Sequence, residues 1–213
     1  MATTFLQLVN QVNRRLNEVE LTSTNFASAT GFYAHAKDAV NASIRYINQS
    51  EFEWPFNHTT KTQTLTANTS RYAFPTDCKV INFDTFRIKE DSTLGNATTR
   101  ILPMAYEEYL DKFVAQEYNS SSFQGVPTRV VHAPSLEFVL TPEPDAAYIL
   151  VYEYFNFTAD LSAHGDAIVI PDRFAHVITD GAMHYAYLFR GNTQDALVTK
   201  EKFDEGIKYM RSM

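Results

Sequence analysis

The chain has one cysteine, Cys78, one tryptophan, Trp54, and only seven glycines in 213 residues. A lone cysteine excludes an internal disulfide framework and leads us to expect synthesis in a reducing compartment. Glycine is too sparse for a phosphate-cradling loop, and no Gly-x-Ser-x-Gly elbow is present to hold a nucleophilic serine. No apolar run approaches the roughly 20 residues that span a bilayer, so no membrane is expected among the partners. The opening residues, MATTFLQLVNQVNRRL, lack a basic stretch followed by an apolar one, and no signal peptide is expected. Positive charge is also scarce. The 18 Lys and Arg face 25 Asp and Glu, for a net charge of −7. No basic cluster stands out, which argues against affinity for nucleic acid founded on neutralising phosphates.

The 45% hydrophobic and 20% charged content suits a folded chain with length enough to bury a core. The sequons at Asn41, Asn48, Asn57, Asn68, Asn96, Asn119 and Asn156 reflect richness in Asn, Ser and Thr rather than glycosylation. Thr4–Val19 reads as an amphipathic helix, with Phe5, Leu8, Val9, Val12, Leu16 and Val19 on one side and a capping box at Thr4-x-x-Gln7. A second helix, from about Gly31 to Asn48, carries Phe32, Ala36, Ala39, Val40, Ile44 and Ile47 on its stripe. A third starts at Pro171, carries Phe174, Val177, Ile178, Gly181, Tyr185, Leu188 and Phe189 on one face, and stops before Gly191. The fourth begins at an Asn192 or Thr193 cap and runs through Ala196, Phe203, Ile207 and Met210.

Strand patterns fill the middle. Thr59–Thr66 alternates, with Arg71–Pro75 as its expected hairpin partner, and Val80–Lys89 and Thr99–Leu102 follow. Ala105–Glu117 returns to helical spacing, and a polar loop at 119–125 comes next. Val126–His132, Leu136–Leu140 and Tyr148–Phe157 then read as a three-stranded antiparallel meander, with Pro142 and Pro144 in a connection. The last strand alternates, with Tyr148, Leu150, Tyr152 and Tyr154 on one face and Ile149, Val151, Glu153 and Phe155 on the other. The expected fold is α+β. An antiparallel four-helix bundle, from residues 1–50 and 171–213 in helices of matching length, carries a β-rich antiparallel insertion at 51–170 with one short helix.

Candidates for chemistry are few. His176, Asp180 and His184 recur at i, i+4 and i+8 on the third long helix, a spacing at which neighbours can share a metal. The outer pair is about 12 Å apart and cannot bind one ion directly. A polar flank of a packed helix is the preferred reading, and a metal-dependent hydrolase built on His176 and His184 is the alternative. Cys78 sits beside Lys79 without the context of a nucleophile. Glu107/Glu108 and Asp204/Glu205 read as solvated helical faces, and Trp54 as a hydrophobic plug. We therefore expect no catalytic, cofactor-binding or metal residue, no cofactor and no enzymatic activity.

Several stretches in order resemble one family. They are the first helix, FLQLVNQVNRRLNEV; Asp38–Asn48 followed by Glu53-Trp-Pro-Phe; Tyr72-Ala-Phe-Pro-Thr-Asp; and Asn82-Phe-Asp-Thr-Phe-Arg-Ile. Pro142-Glu-Pro-Asp145 before an aromatic strand, Ile170-Pro-Asp and the last two helices complete the set. The chain is similar to head-to-tail adaptor (connector) proteins of short-tailed bacteriophages. The resemblance implies a virion structural protein at the head–tail junction, assembled in the host bacterial cytoplasm. Its implied partners are the portal protein, a tail nozzle or tail tube protein, and further copies in a dodecameric ring. Viral DNA passes through that ring without sequence-specific binding. The alternative is a tail accessory or host-surface module that binds carbohydrate or protein through exposed aromatic platforms.

Overall fold

The computed structural model describes residues 2–89, 98–118 and 123–212. The expected loop at 90–97, the sequons at Asn96 and Asn119, and the start of the polar loop at 119–125 lie outside them. In chain order the elements are α1 (Phe5–Arg15), α2 (Phe32–Ser50), β1 (His58–Thr64), β2 (Arg71–Ala73), β3 (Cys78–Lys89), β4 (Thr98–Arg100) and β5 (Leu102–Met104). Then come α3 (Tyr106–Lys112), β6 (Arg129–Ala133), β7 (Glu137–Thr141), β8 (Ile149–Asn156), α4 (Ala175–Phe189) and α5 (Thr193–Met210). The class is α+β. Two compact units divide the chain: Met1–Asn57 with Thr158–Met213, and His58–Phe157.

In the helical unit the caps follow the sequence. Thr4 accepts from the Gln7 amide while its own amide donates to Gln7 Oε1 at 2.9 Å, closing the capping box. Gly191 takes φ 74° after α4, and Asn192 Oδ1 accepts from the Asp195 amide at 3.2 Å to start α5. The expectation of matching lengths fails. The helices have 11, 19, 15 and 18 residues, because α1 stops at Arg15 rather than Val19. Asn17 turns into the left-handed region (φ 57°), and Glu18 N–H closes the end on the Asn13 carbonyl at 2.9 Å. Equal lengths and one apolar stripe on each helix were the grounds for expecting a four-helix bundle. The lengths differ, and the observed packing centres on α4, which contacts α1, α2 and α5.

The shared core holds Phe5, Leu8, Val40, Ile47, Ile178 and Phe203. Closeness of approach to α4 is set at two glycines. A Cβ on Gly181 would meet the Phe203 ring at 2.7 Å and collide with Ser43 Oγ, whose hydroxyl donates to the Ile178 carbonyl at 2.9 Å. A Cβ on Gly206 would lie 2.9 Å from the Val177 methyls.

Residues 51–57 and 158–170, assigned from the sequence to the β-rich insertion, belong to the helical unit. Trp54 is buried in its core, with Nε1–H donating to the Ile47 carbonyl at 2.7 Å. Asn41 grips Leu161 twice, donating to its carbonyl at 2.9 Å and accepting from its amide at 3.0 Å. Farther along, Ile168 N–H donates to the Thr3 carbonyl at 3.2 Å and Phe5 N–H to the Asp166 carbonyl at 2.8 Å. Where the chain leaves and re-enters, Asn57 Nδ2 donates to Asn48 Oδ1, and Asn48 Nδ2 to Thr158 Oγ1, both at 2.6 Å.

The β unit corrects three sequence expectations. Its two four-stranded sheets have the orders β1-β8-β3-β4 and β2-β7-β6-β5. First, β1 and β2 are not a hairpin: β1 pairs β8, and β2 pairs β7. Residues 67–70 cross between sheets, so Leu65 and Tyr72 enter one core from opposite walls. Second, the meander breaks after β7. β6 and β7 pair, but β8 joins the other sheet, because Pro142 and Pro144 lack the N–H groups a further hairpin rung needs. Third, the unit is not wholly antiparallel. A strand the sequence did not separate, β5, runs parallel to β6, and the intervening α3 makes the crossover. The expected helix at Ala105–Glu117 is correspondingly shorter, α3 followed by a 3₁₀ turn at Val114–Glu117.

Alternation along β8 is as expected. Leu150, Tyr152 and Tyr154 are buried, while the residues between them are half-exposed. Phe86 stacks on Tyr152 at 4.6 Å and meets Phe138 edge-on at 5.2 Å across the sheets. β6 and β7 are covered on both sides, since Val131 and Val139 pack with Tyr109 of α3. The 3₁₀ turn puts Glu117 against Arg71 Nε, 3.0 Å from both carboxylate oxygens, and Tyr109 donates its hydroxyl to the same carboxylate.

Two outcomes are expected. Gly181→Ala should destabilise the protein by about 1–3 kcal/mol through overpacking, whereas Gly165→Ala, which meets nothing within 4 Å, should not. Equal melting temperatures for the two variants would contradict the close α4 contacts. The second concerns acid. Asp172, held by the Thr3 amide, and Asp166, held by the Ser162 and Ala163 amides, both titrate below the ordinary carboxylate value of 3.8. A folded-state value below the unfolded one gives stability that is present above the ordinary value and lost as pH falls past it. An Asp166→Asn/Asp172→Asn double variant should therefore lose less melting temperature than wild type between about pH 6 and about pH 2.5. Parallel curves would refute the linkage.

Candidate functional site

The side chains that could have carried chemistry are drawn apart by the packing of α4. Asp180 pairs with Arg15 of α1 at 2.5 Å. One turn on, His184 places Nδ1 2.8 Å from the Ala196 carbonyl of α5. His176 faces solvent. The three thus have different surroundings and form no common cage. Among the described residues, no three His, Cys, Asp or Glu side chains are grouped so as to hold a metal ion.

Cys78 is partly covered in β3, and burial followed by the neighbouring Asp77 pushes its thiol up to about 11. That shift is opposite to the one that makes a nucleophile. Glu108 pairs with Lys112 at 2.7 Å, Asp204 pairs with Lys200, and Glu107 and Glu205 are exposed on helical faces. Trp54 lies in the core and cannot serve as an aromatic platform.

What remains is surface. At the α4–α5 corner the Phe189 ring stacks on His35 at 4.2 Å, and the Arg190 guanidinium lies 4.5 Å over Phe32 while pairing with Glu18. These contacts tie the ends of α1, α2 and α4 together. Around them Leu188, Phe189, Leu197 and Val198 stay exposed, Leu197 by 66%. Leu188 and Phe189, expected on the buried stripe of their helix, end α4, and Leu197 and Val198 lie in the first turns of α5. The Gly191 turn is thus flanked on both sides by exposed apolar side chains, a candidate contact surface. The outer face of α5 continues it with Glu201, Glu205, Lys208 and Tyr209. Helical spacing read the buried side of α5 correctly. It could not flag the outer side, since exposed leucine and valine look like core residues until the neighbours are known.

In the β unit the comparable feature is β1. It ends its sheet, and all seven of its residues, HTTKTQT, are exposed or half-exposed. Its side chains are hydroxyls, an amide, an imidazole and one ammonium. Beside it a cleft is lined by Lys61, Thr62 and Gln63 on one bank and Ala73, Phe74, Pro75 and Thr76 on the other, with Tyr152 among its lining. Among the described residues, no helix is long and apolar enough to cross a membrane.

Against this geometry, the family model described as SU10 adaptor protein matches residues 3–213, which takes in both compact units. No curated protein matches the chain.

The raised Cys78 thiol carries a test. Alkylation by iodoacetamide near neutral pH should run at least about ten-fold slower than for a free cysteine thiol, because little thiolate forms. A rate equal to that of free cysteine would show that the thiol is not held protonated, and a faster one would show an activated thiol and reopen the question of catalysis.

Proposed function

The chain belongs to the SU10 adaptor protein family, and on that premise we propose that it is a head-to-tail adaptor of a tailed bacteriophage. In this reading it is a virion structural protein at the head–tail junction, assembled in the host bacterial cytoplasm. Copies close into a ring, a dodecamer, between the portal protein and a tail nozzle or tail tube protein. The helical unit forms the body of the ring, and the β unit meets neighbouring copies or tail components.

The observation that carries this reading is the extent of the match. It covers the terminal helices as well as the strands between them, so it concerns the whole architecture rather than one module. The dispersal of His176, Asp180 and His184 agrees with a structural role. So does the net charge of −7, since a wall along which DNA slides works best when it attracts phosphates weakly.

Assembly is expected to be templated. A net charge of one sign makes copies repel modestly, and a portal can supply both orientation and a second contact for each incoming copy. Mass photometry at micromolar concentration should show small species for the protein alone. Portal protein from the same phage should convert them to a complex of fixed subunit ratio, with a ring visible by electron microscopy. A protein that ignores that portal overturns the proposal.

A further inference from the structure

We propose that the outer edge of β1 is a strand-addition site, which takes an extended segment of a different protein chain bearing carboxylates on its cleft side. The inference deepens the adaptor reading and rests on it for the identity of the partner.

The phase of the ladder shows which backbone groups are free. Leu65 N–H donates to the Tyr148 carbonyl at 2.8 Å, directly beyond the Thr64–Ile149 pair. On β8, Glu153 N–H points the other way and donates to Thr85 Oγ1 of β3 at 2.9 Å. Hydrogen-bonded pairs alternate along an antiparallel ladder. Thr59, Lys61 and Gln63 therefore use their backbones on Tyr154, Tyr152 and Leu150. His58, Thr60, Thr62 and Thr64 aim theirs away from the sheet. All four are exposed, and the seven residues contain neither a proline nor a register shift against β8. Such an edge is a template for another strand, and folded proteins usually shorten, bulge or cover it. The remaining edges here are treated in that way. Among the described residues the edge strands β2, β4 and β5 have three residues each, and β3, which β4 pairs only at Arg87–Lys89, is irregular between Asn82 and Arg87.

Those short edges also identify the occupant. A second copy of this chain has no other straight edge of seven residues among the described residues. Pairing two β1 strands about their centre sets Lys61 against Lys61, and like charges directly opposite are destabilising. The partner strand comes from elsewhere.

Its chemistry follows from the cleft. Tyr152 is fully buried, and its hydroxyl has no hydrogen-bond partner among the described residues. Burial, its largest influence, holds that phenol protonated and therefore able to donate. The cleft lining has one ammonium, Lys61, and no carboxylate. The nearest acids are engaged: Asp77 accepts from the Tyr154 hydroxyl at 3.1 Å, and Glu153 pairs with His58 at 3.0 Å on the opposite face. A strand with Asp or Glu entering the cleft satisfies the edge, the ammonium and the phenol together.

Hydrogen exchange on the full chain, alone and mixed with portal or tail protein from the same phage, tests this. In the complex, amides in 58–64 should exchange at least about ten-fold more slowly than in the free protein. Thr62→Pro and Thr60→Pro remove an outward N–H without touching the β8 ladder. Each should keep the wild-type melting temperature while weakening the complex about ten-fold or more. If a complex forms with 58–64 exchanging as in the free chain, the edge is not the site and the adaptor reading survives. That result would be decisive even if both proline variants failed to fold. If neither partner binds, the adaptor reading and this inference fall together.

Discussion

The helical unit depends on how closely other elements can approach α4. At Gly181 the absence of a side chain lets Ser43 of α2 and Phe203 of α5 reach the same turn, and Ser43 uses that closeness to donate to the Ile178 carbonyl. At Gly206 the relationship is reversed, with α5 lacking the side chain and Val177 of α4 filling the space. A methyl group at either position would push helices apart that the core residues around Ile178 and Ile47 pull together. The packing term grows with burial and falls steeply with small gaps, so separation of one pair would loosen every contact that shares it. The ends of the chain are joined here, and the α1–α4 and α2–α4 contacts link residues far apart in sequence.

The same unit also controls the two points at which the chain departs and returns. Asn48, near the end of α2, holds Asn57 on one side and Thr158 on the other. Asn41, two turns earlier, fixes Leu161 by both of its backbone groups. These amides do what a hydrophobic contact cannot, because they satisfy main-chain and hydroxyl groups that would otherwise be buried unpaired. Two Asn residues that read as mere composition in the sequence are the means by which an insertion of about a hundred residues begins and ends at defined places.

Much of the secondary structure was legible, and the reasons are local. The Thr4–Gln7 box, the Gly191 turn, the Asn192 cap and the alternation of β8 depend on residues within a few positions of one another. Strand partners depend on more. Alternation reports which face is buried and says nothing about which strand lies alongside, so β1 and β2 looked like a hairpin although they belong to different sheets. β5 was lost because three residues containing Pro103 carry no pattern. α1 was read too long because Val19 sits at helical spacing, while Asn17, whose side chain tolerates the left-handed region, ended the helix before it. The candidate surfaces were less legible still. Leu197 and Val198 resemble core residues, and the openness of HTTKTQT becomes visible only once β8 is known to cover one side of it. No motif marked either one, since a contact surface is a property of arrangement.

The edge proposed for strand addition is polar, which keeps it hydrated in the free protein. Thr, Gln and Lys side chains are well hydrated, and the outward N–H and C=O groups of β1 are satisfied by water until a strand displaces it. The exchange of water for protein partners yields a modest net gain per hydrogen bond, about 1 kcal/mol, so affinity needs several rungs in register. That requirement discriminates by length and straightness rather than by hydrophobicity. The four outward positions of β1 meet it, and the three-residue edges elsewhere in the unit fall short. Selectivity against short or kinked strands is therefore a consequence of the geometry of the edge, with Lys61 adding a preference of charge.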